Sequence, residues 1–418
     1  MEHDPAFSAA AEETKVMRIL FLTPKPPYPP VDGSSLASWQ MIEGLAARGH
    51  DVAVLYLTTP KHRDTGMPRP PRPSLSFTRA YADTSFSLVR LAGTWHPAAP
   101  PYLVRRFHVE EARRQLAALL EAQPYDVIQF EGLMMVPYLS EVRRLQPKAQ
   151  AVYRAHNTEY RIWRSLAAHA PSLPQRLLYR LQARQLERYE RHIARAFPLI
   201  VPISDDDAAL FRGWSPSSRV VTIPYGVVPV SPLPPAAGGP PVLLFLGALD
   251  WRPNVQGLLW FIREVWPSLH QAFPAVRLRL AGRAPSPSFL HQLQALSHHD
   301  GSIEVLGEIA ETTPFYRSGS LFLVPLLAGS GIRIKILEAM AHGLPVVSTS
   351  AGAAGLPVTH GKNIFIADRP EEMISAIRTL LHSPSLQKEI QENALTFVRE
   401  RYNPKELITH LEKVYSTP

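Results

Sequence analysis

The chain has 418 residues, 45% apolar and 19% charged, so it exceeds one ordinary core and two domains are expected. It holds no cysteine, which excludes disulfides, thiolate metal sites and a cysteine nucleophile, and no apolar run nears the ~20 residues that span a bilayer. The net charge of +8 gathers in residues 17–230, with 27 basic and 17 acidic side chains against 16 and 15 in residues 231–418, so an anionic partner is expected for the first half.

Residues 1–16 carry one basic and four acidic side chains and lack the apolar middle of a secretory signal. They read as a loose tail, and the cytosol is the expected compartment. The strand-like RILFLT at 18–23 then leads through the Pro-rich PKPPYPPVDGSS to a helical pattern over 36–48. Gly49 stops that helix, and DVAVLYL follows as a second strand. This βαβ unit predicts a parallel, doubly wound sheet. Further buried-type runs fall at 126–130, 150–154, 198–201 and 219–223. Residues 60–74 are too rich in Pro and Arg for regular structure and read as a mobile loop.

Six prolines and two glycines in residues 227–241 mark an inter-domain linker. Beyond it VLLFLGALDW restarts the strand-then-loop theme. A helix over 255–272 and strands at 276–281, 303–306 and 321–324 come next. The segment GSGIRIKILEAMAHGLPVVSTS at 329–350 then sets two glycine turns, Arg333, Lys335 and Glu338 in and around the first turns of a helix, before a strand-like run. Glycines allow close backbone approach, a helix N-terminus carries partial positive charge, and Arg333 and Lys335 add full charges at that end. The segment reads as a diphosphate cradle, with Glu338 one turn on to accept hydrogen bonds from a sugar diol. Residues 371–381, 386–401 and 404–415 are helical. Two similar α/β halves joined by a linker make a cleft, with ligands beyond the carboxyl ends of the strands.

With these pieces in hand the chain resembles the GT-B-fold, nucleotide-sugar-dependent glycosyltransferases of the retaining family 4 group (glycosyl transferases group 1). RILFLTPKPPYPPVDGSS, LAARGHDVAVL, AHNTE, IVPISDDDAALF, IPYGV, GALDWRPNVQGLLWF, RLRLAGR and VLGEIAETTPFYRSGSLFLVPL carry the resemblance, together with the cradle. It implies two Rossmann-like doubly wound domains, 17–226 on the acceptor side and 242–400 on the donor side. A helix within 401–418 would return to the first domain. The family pairs two glutamates with seven residues between them; Glu338 matches the second and Ser330 stands at the first. The family's Arg after the first strand of domain two is absent, with Ala248 beside Gly247, and Tyr225 replaces the Asn of the IPNG stretch. The pattern resembles a subgroup in which the GSGxRxKxLE turn takes over the diphosphate role.

The resemblance implies transfer of a hexose-type sugar, with retention and without metal or other cofactor, to a glycan, lipid-linked or small-molecule acceptor. It would make His156, in AHNTE, a hydrogen-bonding partner of the donor hexose. Gly33 and Ser34, opening the first helix, would turn backbone N–H groups toward the donor phosphate; a plain turn and N-cap is the alternative. Ser330, Gly331 and Ile332 belong to the cradle, Gly307, Glu308 and Ile309 offer backbone edges for the base, and Arg252 and Asn254 assist phosphate or acceptor. The arginines at 176, 180, 184, 188, 191 and 195 form a stripe that fits an anionic membrane surface, which would place the protein peripherally on its inner face, or a solvated helix. No nucleic-acid partner is expected. A nucleotide-sugar epimerase and a catalytically degenerate glycan- or lipid-binding subunit stand as alternatives.

Overall fold

The computed structural model describes residues 15–30, 32–62, 72–85, 100–168, 170, 172–230, 239–283, 285–296, 301–327 and 332–417. The first lobe is built on seven parallel strands: β1 (Arg18–Thr23), β2 (Asp51–Thr58), β3 (Leu75–Tyr81), β4 (Val127–Glu131), β5 (Gln150–Ala155), β6 (Leu199–Pro202) and β7 (Arg219–Val220). They lie in the order β3-β2-β1-β4-β5-β6-β7. The second lobe has six: β8 (Val242–Leu246), β9 (Arg277–Ala281), β10 (Ile303–Gly307), β11 (Leu321–Val324), β12 (Val346–Ser348) and β13 (Phe365–Ile366), ordered β10-β9-β8-β11-β12-β13. Helices cover both faces, so the inner strands read as continuous apolar runs; β1, β2 and β11 are buried almost throughout. In both sheets the order of strand addition reverses beside the first strand, between β1 and β4 and between β8 and β11, and ligands bind at such switch points.

Several expectations need correcting. Pro267 lacks an N–H and crowds the preceding turn, so the single helix expected over 255–272 is two, Arg252–Glu264 and Trp266–Ala272, meeting at Val265. β3 follows residues 63–71, which lie outside the described residues, so only part of the expected loop is described. Beyond β7 the chain still pairs, Val221 N–H to Ile200 O at 3.0 Å and Ile223 N–H to Pro202 O at 3.0 Å. The start of the expected linker is packed: Val227 is buried in the second lobe and its N–H reaches Tyr402 O at 2.8 Å.

Helix Pro404–Ser416 returns to the first lobe and lays Ile408, Leu411, Val414 and Tyr415 among Ile19, Phe21, Met41 and Leu45. Gly44 leaves the space this needs, since a Cβ there would meet Ile408 Cγ1 at 2.7 Å. Glu412, also buried, is held by Arg48 at 2.6 Å and His50 at 2.8 Å. Where the chain crosses between lobes, the Gln40 amide clamps Gly226, accepting from its N–H at 2.8 Å and donating to its carbonyl at 2.9 Å.

Candidate active site

A cavity of 420 Å³ opens between the lobes, bounded by Gly33, Ser34 and His156 on one side and Trp251, Ile332 and Arg333 on the other. The lobes touch here, since a Cβ on Gly33 would come within 3.0 Å of Ile334 Cδ1. On the second lobe, helix Ile334–Ala341 starts after β11 with Arg333 as its N-cap residue and no capping side chain. The Arg333 guanidinium stacks over Trp251 at 5.4 Å from the ring centre, and burial lowers its pKa to about 10. Lys335 is half-buried, its ammonium 4.1 Å from the Phe245 ring centre and donating to Asn254 Oδ1 at 3.2 Å. Burial first, and then Arg333, push its pKa well below the ordinary lysine range. Asn254 also donates to Ala248 O at 2.9 Å, so it ties Lys335 to the loop after β8. Gly247 lines this pair, where a Cβ would sit 2.8 Å from Asn254 Nδ2 and 3.1 Å from Lys335 Nζ.

On the first lobe His156 follows β5, half-buried, and its Nε2 bonds Glu131 Oε2 at 2.6 Å. Glu131 ends β4 and is wholly buried. Burial raises its pKa, but His156, the buried Arg154 guanidinium and the Ser38 hydroxyl outweigh that and hold it below the ordinary range. An ionised Glu131 requires a proton on His156 Nε2, which leaves Nδ1 as the ring's other polar atom. Ser38 donates to Glu131 Oε2 at 2.6 Å, Gln129 donates to Oε1, and the Tyr415 hydroxyl of the returning helix donates to Gln129. Sequence reading found His156 and missed this chain behind it.

The helix that starts at Gly33 corrects another expectation. Its N-cap is Asp32, whose Oδ1 accepts the N–H groups of Ser34 at 3.1 Å and Ser35 at 3.0 Å. Those amides are spent on the protein's own carboxylate, so Ser34 cannot offer its N–H to a phosphate, although it and Gly33 still line the cavity. Asp32 in turn holds Lys25 at 2.6 Å. Burial raises the Asp32 pKa, and Lys25 more than reverses it, so Asp32 stays ionised. The D-G-S-S run was a legible capping signal.

The remaining candidates lie around this centre. Glu338 is in the second turn of its helix, accepts from the Tyr316 hydroxyl at 3.0 Å, and is pushed up by burial. Arg252 opens helix Arg252–Glu264 beside the Trp251 platform. Gly307 ends β10 with φ of 69°, a left-handed turn that suits glycine, and accepts from Gly282 N–H at 2.7 Å; Ile309 is half-buried and Glu308 exposed next to it. Ser330 and Gly331 lie outside the described residues.

Two family models match the chain: "Glycosyl transferase 4-like domain" over residues 32–226 and "Glycosyl transferases group 1" over residues 240–383. The chain is 26% identical over 403 residues to a Klebsiella pneumoniae protein described as an uncharacterized 44.6 kDa protein in the cps region, covering 95% of this chain and 99% of that one. Among solved structures, a sucrose-phosphate synthase from Thermosynechococcus elongatus matches with a TM-score of 0.69 at 18% identity, over 96% of this chain and 98% of that one. Anabaena HepE, solved in complex with UDP and glucose, matches with a TM-score of 0.66 at 16% identity, over 96% of this chain and all (100%) of that one. With both lobes matched, the chain belongs to the group 1 glycosyltransferases and has their GT-B architecture of two facing Rossmann-like domains.

Proposed function

We propose that the chain moves a hexose-type sugar from a nucleoside-diphosphate sugar to a glycan, lipid-linked or small-molecule acceptor, with retention of configuration and without a metal ion. The observation that carries this reading is Arg333, which lines the inter-lobe cavity at the start of a helix, with Lys335 two residues behind it in the first turn. Departure of the nucleoside diphosphate develops negative charge while the sugar gains oxocarbenium character. Arg333, fixed beforehand on Trp251, and Lys335, held between Phe245 and Asn254 and kept protonated by the incoming diphosphate, stabilise that charge. They supply the charge that a divalent cation would otherwise bring. In this reading the leaving phosphate takes the acceptor's proton, and His156, oriented by Glu131, hydrogen-bonds the hexose.

Glu338 reads the ribose, and backbone edges at Gly307–Ile309 meet the base. The likeness to a protein of a cps region favours a saccharide of the cell envelope as the acceptor class. The test is transfer and hydrolysis with a panel of UDP-, GDP- and ADP-sugars, with and without EDTA. The expected result is turnover that survives EDTA and falls ~10²–10³-fold in Arg333→Ala, as for a lost oxyanion donor. Near-wild-type turnover in the folded variant refutes the assignment.

A further inference from the structure

Helices Glu159–Ala168 and Leu173–Ala194 form a hairpin on the first lobe, locked by Trp163 against Tyr179 at 5.6 Å. Between them lies a second cavity, of 450 Å³, walled by Arg164, Arg176, Arg180 and Arg184 with Glu187 as its one acid. Glu187 is committed elsewhere, pairing Arg191 at 2.7 Å. None of the four cavity arginines forms an ion pair with a described acidic side chain, and three of them repeat at a spacing where unneutralised like charges repel. The far end of the expected stripe behaves differently: Arg191 also covers the Trp214 ring at 5.5 Å, and Arg195 donates to Trp214 O at 3.2 Å. The excess charge therefore gathers at the start of the long helix.

That same start is apolar where it meets solvent. Leu173, Leu177, Leu178 and Leu181 are 79%, 61%, 48% and 52% exposed, and burial of this helix begins only at Ala183. At 100° per residue, Leu173, Leu177 and Leu181 run along a stripe adjoining Arg176, Arg180 and Arg184, while Ala183, Leu186 and Glu190 hold the opposite face to the lobe. A leucine stripe flanked by guanidinia is the pattern of a helix lying in a bilayer interface.

We infer that this hairpin tip docks on an anionic bilayer, its leucines entering the headgroup–acyl boundary and its arginine cavity holding a lipid phosphate. The other face of helix Glu159–Ala168, with Ile162, Ser165 and Leu166, lines the inter-lobe cavity beside His156. Docking thus brings the mouth of the transfer site to the lipid surface, where a membrane-held acceptor reaches it. This deepens the acceptor side of the proposed transfer, and vesicle binding is measured without donor, so either can fail alone.

The experiment is flotation of the purified full chain with phosphatidylcholine vesicles, with and without phosphatidylglycerol. The wild type should float with anionic vesicles and bind neutral ones at least about ten-fold more weakly. The triple variant Arg176→Gln, Arg180→Gln, Arg184→Gln should lose that preference. Leu177→Ser with Leu178→Ser should lower binding to both vesicle types, and circular dichroism melting of both variants checks that they stay folded. A wild type that stays with the soluble fraction, or folded variants that float as it does, overturns the inference.

Discussion

Replacing Lys335 by Met separates a catalytic cation from a structural one, because the two roles predict opposite outcomes. The side chains are similar in length, so packing against Phe245 persists. A fully dry ion carries a penalty of roughly 3–5 kcal/mol, reduced here by the partial solvent access of Lys335 to about 2–4 kcal/mol. Against this stand the bond to Asn254, worth about 1 kcal/mol, and the contact with the Phe245 ring, worth about 1 kcal/mol. Removing the charge also relieves its repulsion with Arg333. Lys335→Met is therefore expected to leave the fold as stable or to stabilise it by up to about 2 kcal/mol, a rise of roughly 0–2 °C in Tm for a chain of 418 residues. Turnover should fall ~10²–10³-fold. Differential scanning calorimetry and a donor-consumption assay on the same preparation give both numbers. A clear loss of stability with turnover intact would show that Lys335 serves packing, and the reading of the cradle would fail.

Glu131→Gln removes the charge behind His156 while keeping its size; kcat should drop ~10²-fold through misplacement of the ring, with KM for the donor little changed. Combining it with His156→Ala should add nothing further, and independent, additive losses in that double-mutant cycle would exclude the coupling. Burial raises Glu190, which caps helix Glu159–Ala168 through the N–H groups of Glu159 and Tyr160, to about 8, and raises Glu159 to about 7. The folded state then keeps protons that the unfolded chain has released, so the contribution of these two groups to stability should be full below the ordinary glutamate range and be lost as pH rises toward 8. Chemical denaturation across that window should show the slope, and Glu190→Gln should flatten it. Gly247→Ala places a methyl group 2.8 Å from Asn254 Nδ2 and 3.1 Å from Lys335 Nζ, so it should cost about 1–3 kcal/mol of stability and weaken binding of whichever nucleoside diphosphate the donor panel selects, measured by titration calorimetry.

Much of the frame was legible because it rests on local signals. β1 and β11 have the bounds their apolar runs suggest, and the helix from Pro404 opens on an Asn cap followed by proline. β3 was missed: at this sheet edge only Leu75 and Ala80 are buried, and LSFTRAY offers neither a long apolar run nor a strict apolar–polar alternation. In the site, Arg333 and Lys335 could be read because charge next to a glycine turn at a helix start is a local pattern. Glu131 could not, because its meaning depends on His156, which is 25 positions away in sequence. Tyr415 is 286 positions from Gln129 and meets it only because the last helix doubles back. At Ser34 position and resemblance together suggested a ligand, with a cap as the alternative, and the structure has the neighbouring Asp32 carboxylate at that helix end.

The Tyr415 contact has a bearing on how the molecule can be divided. The segment that completes the first lobe follows the whole second lobe in sequence, so the first lobe must wait, with its Ile19–Leu45 surface uncovered, until the second lobe has been synthesised. A fragment ending at Gly226 would lack both the helix that seals this surface and the hydroxyl at the base of the histidine relay. Only an excision that rejoins Pro404–Ser416 to the early residues would yield a first lobe able to stand by itself.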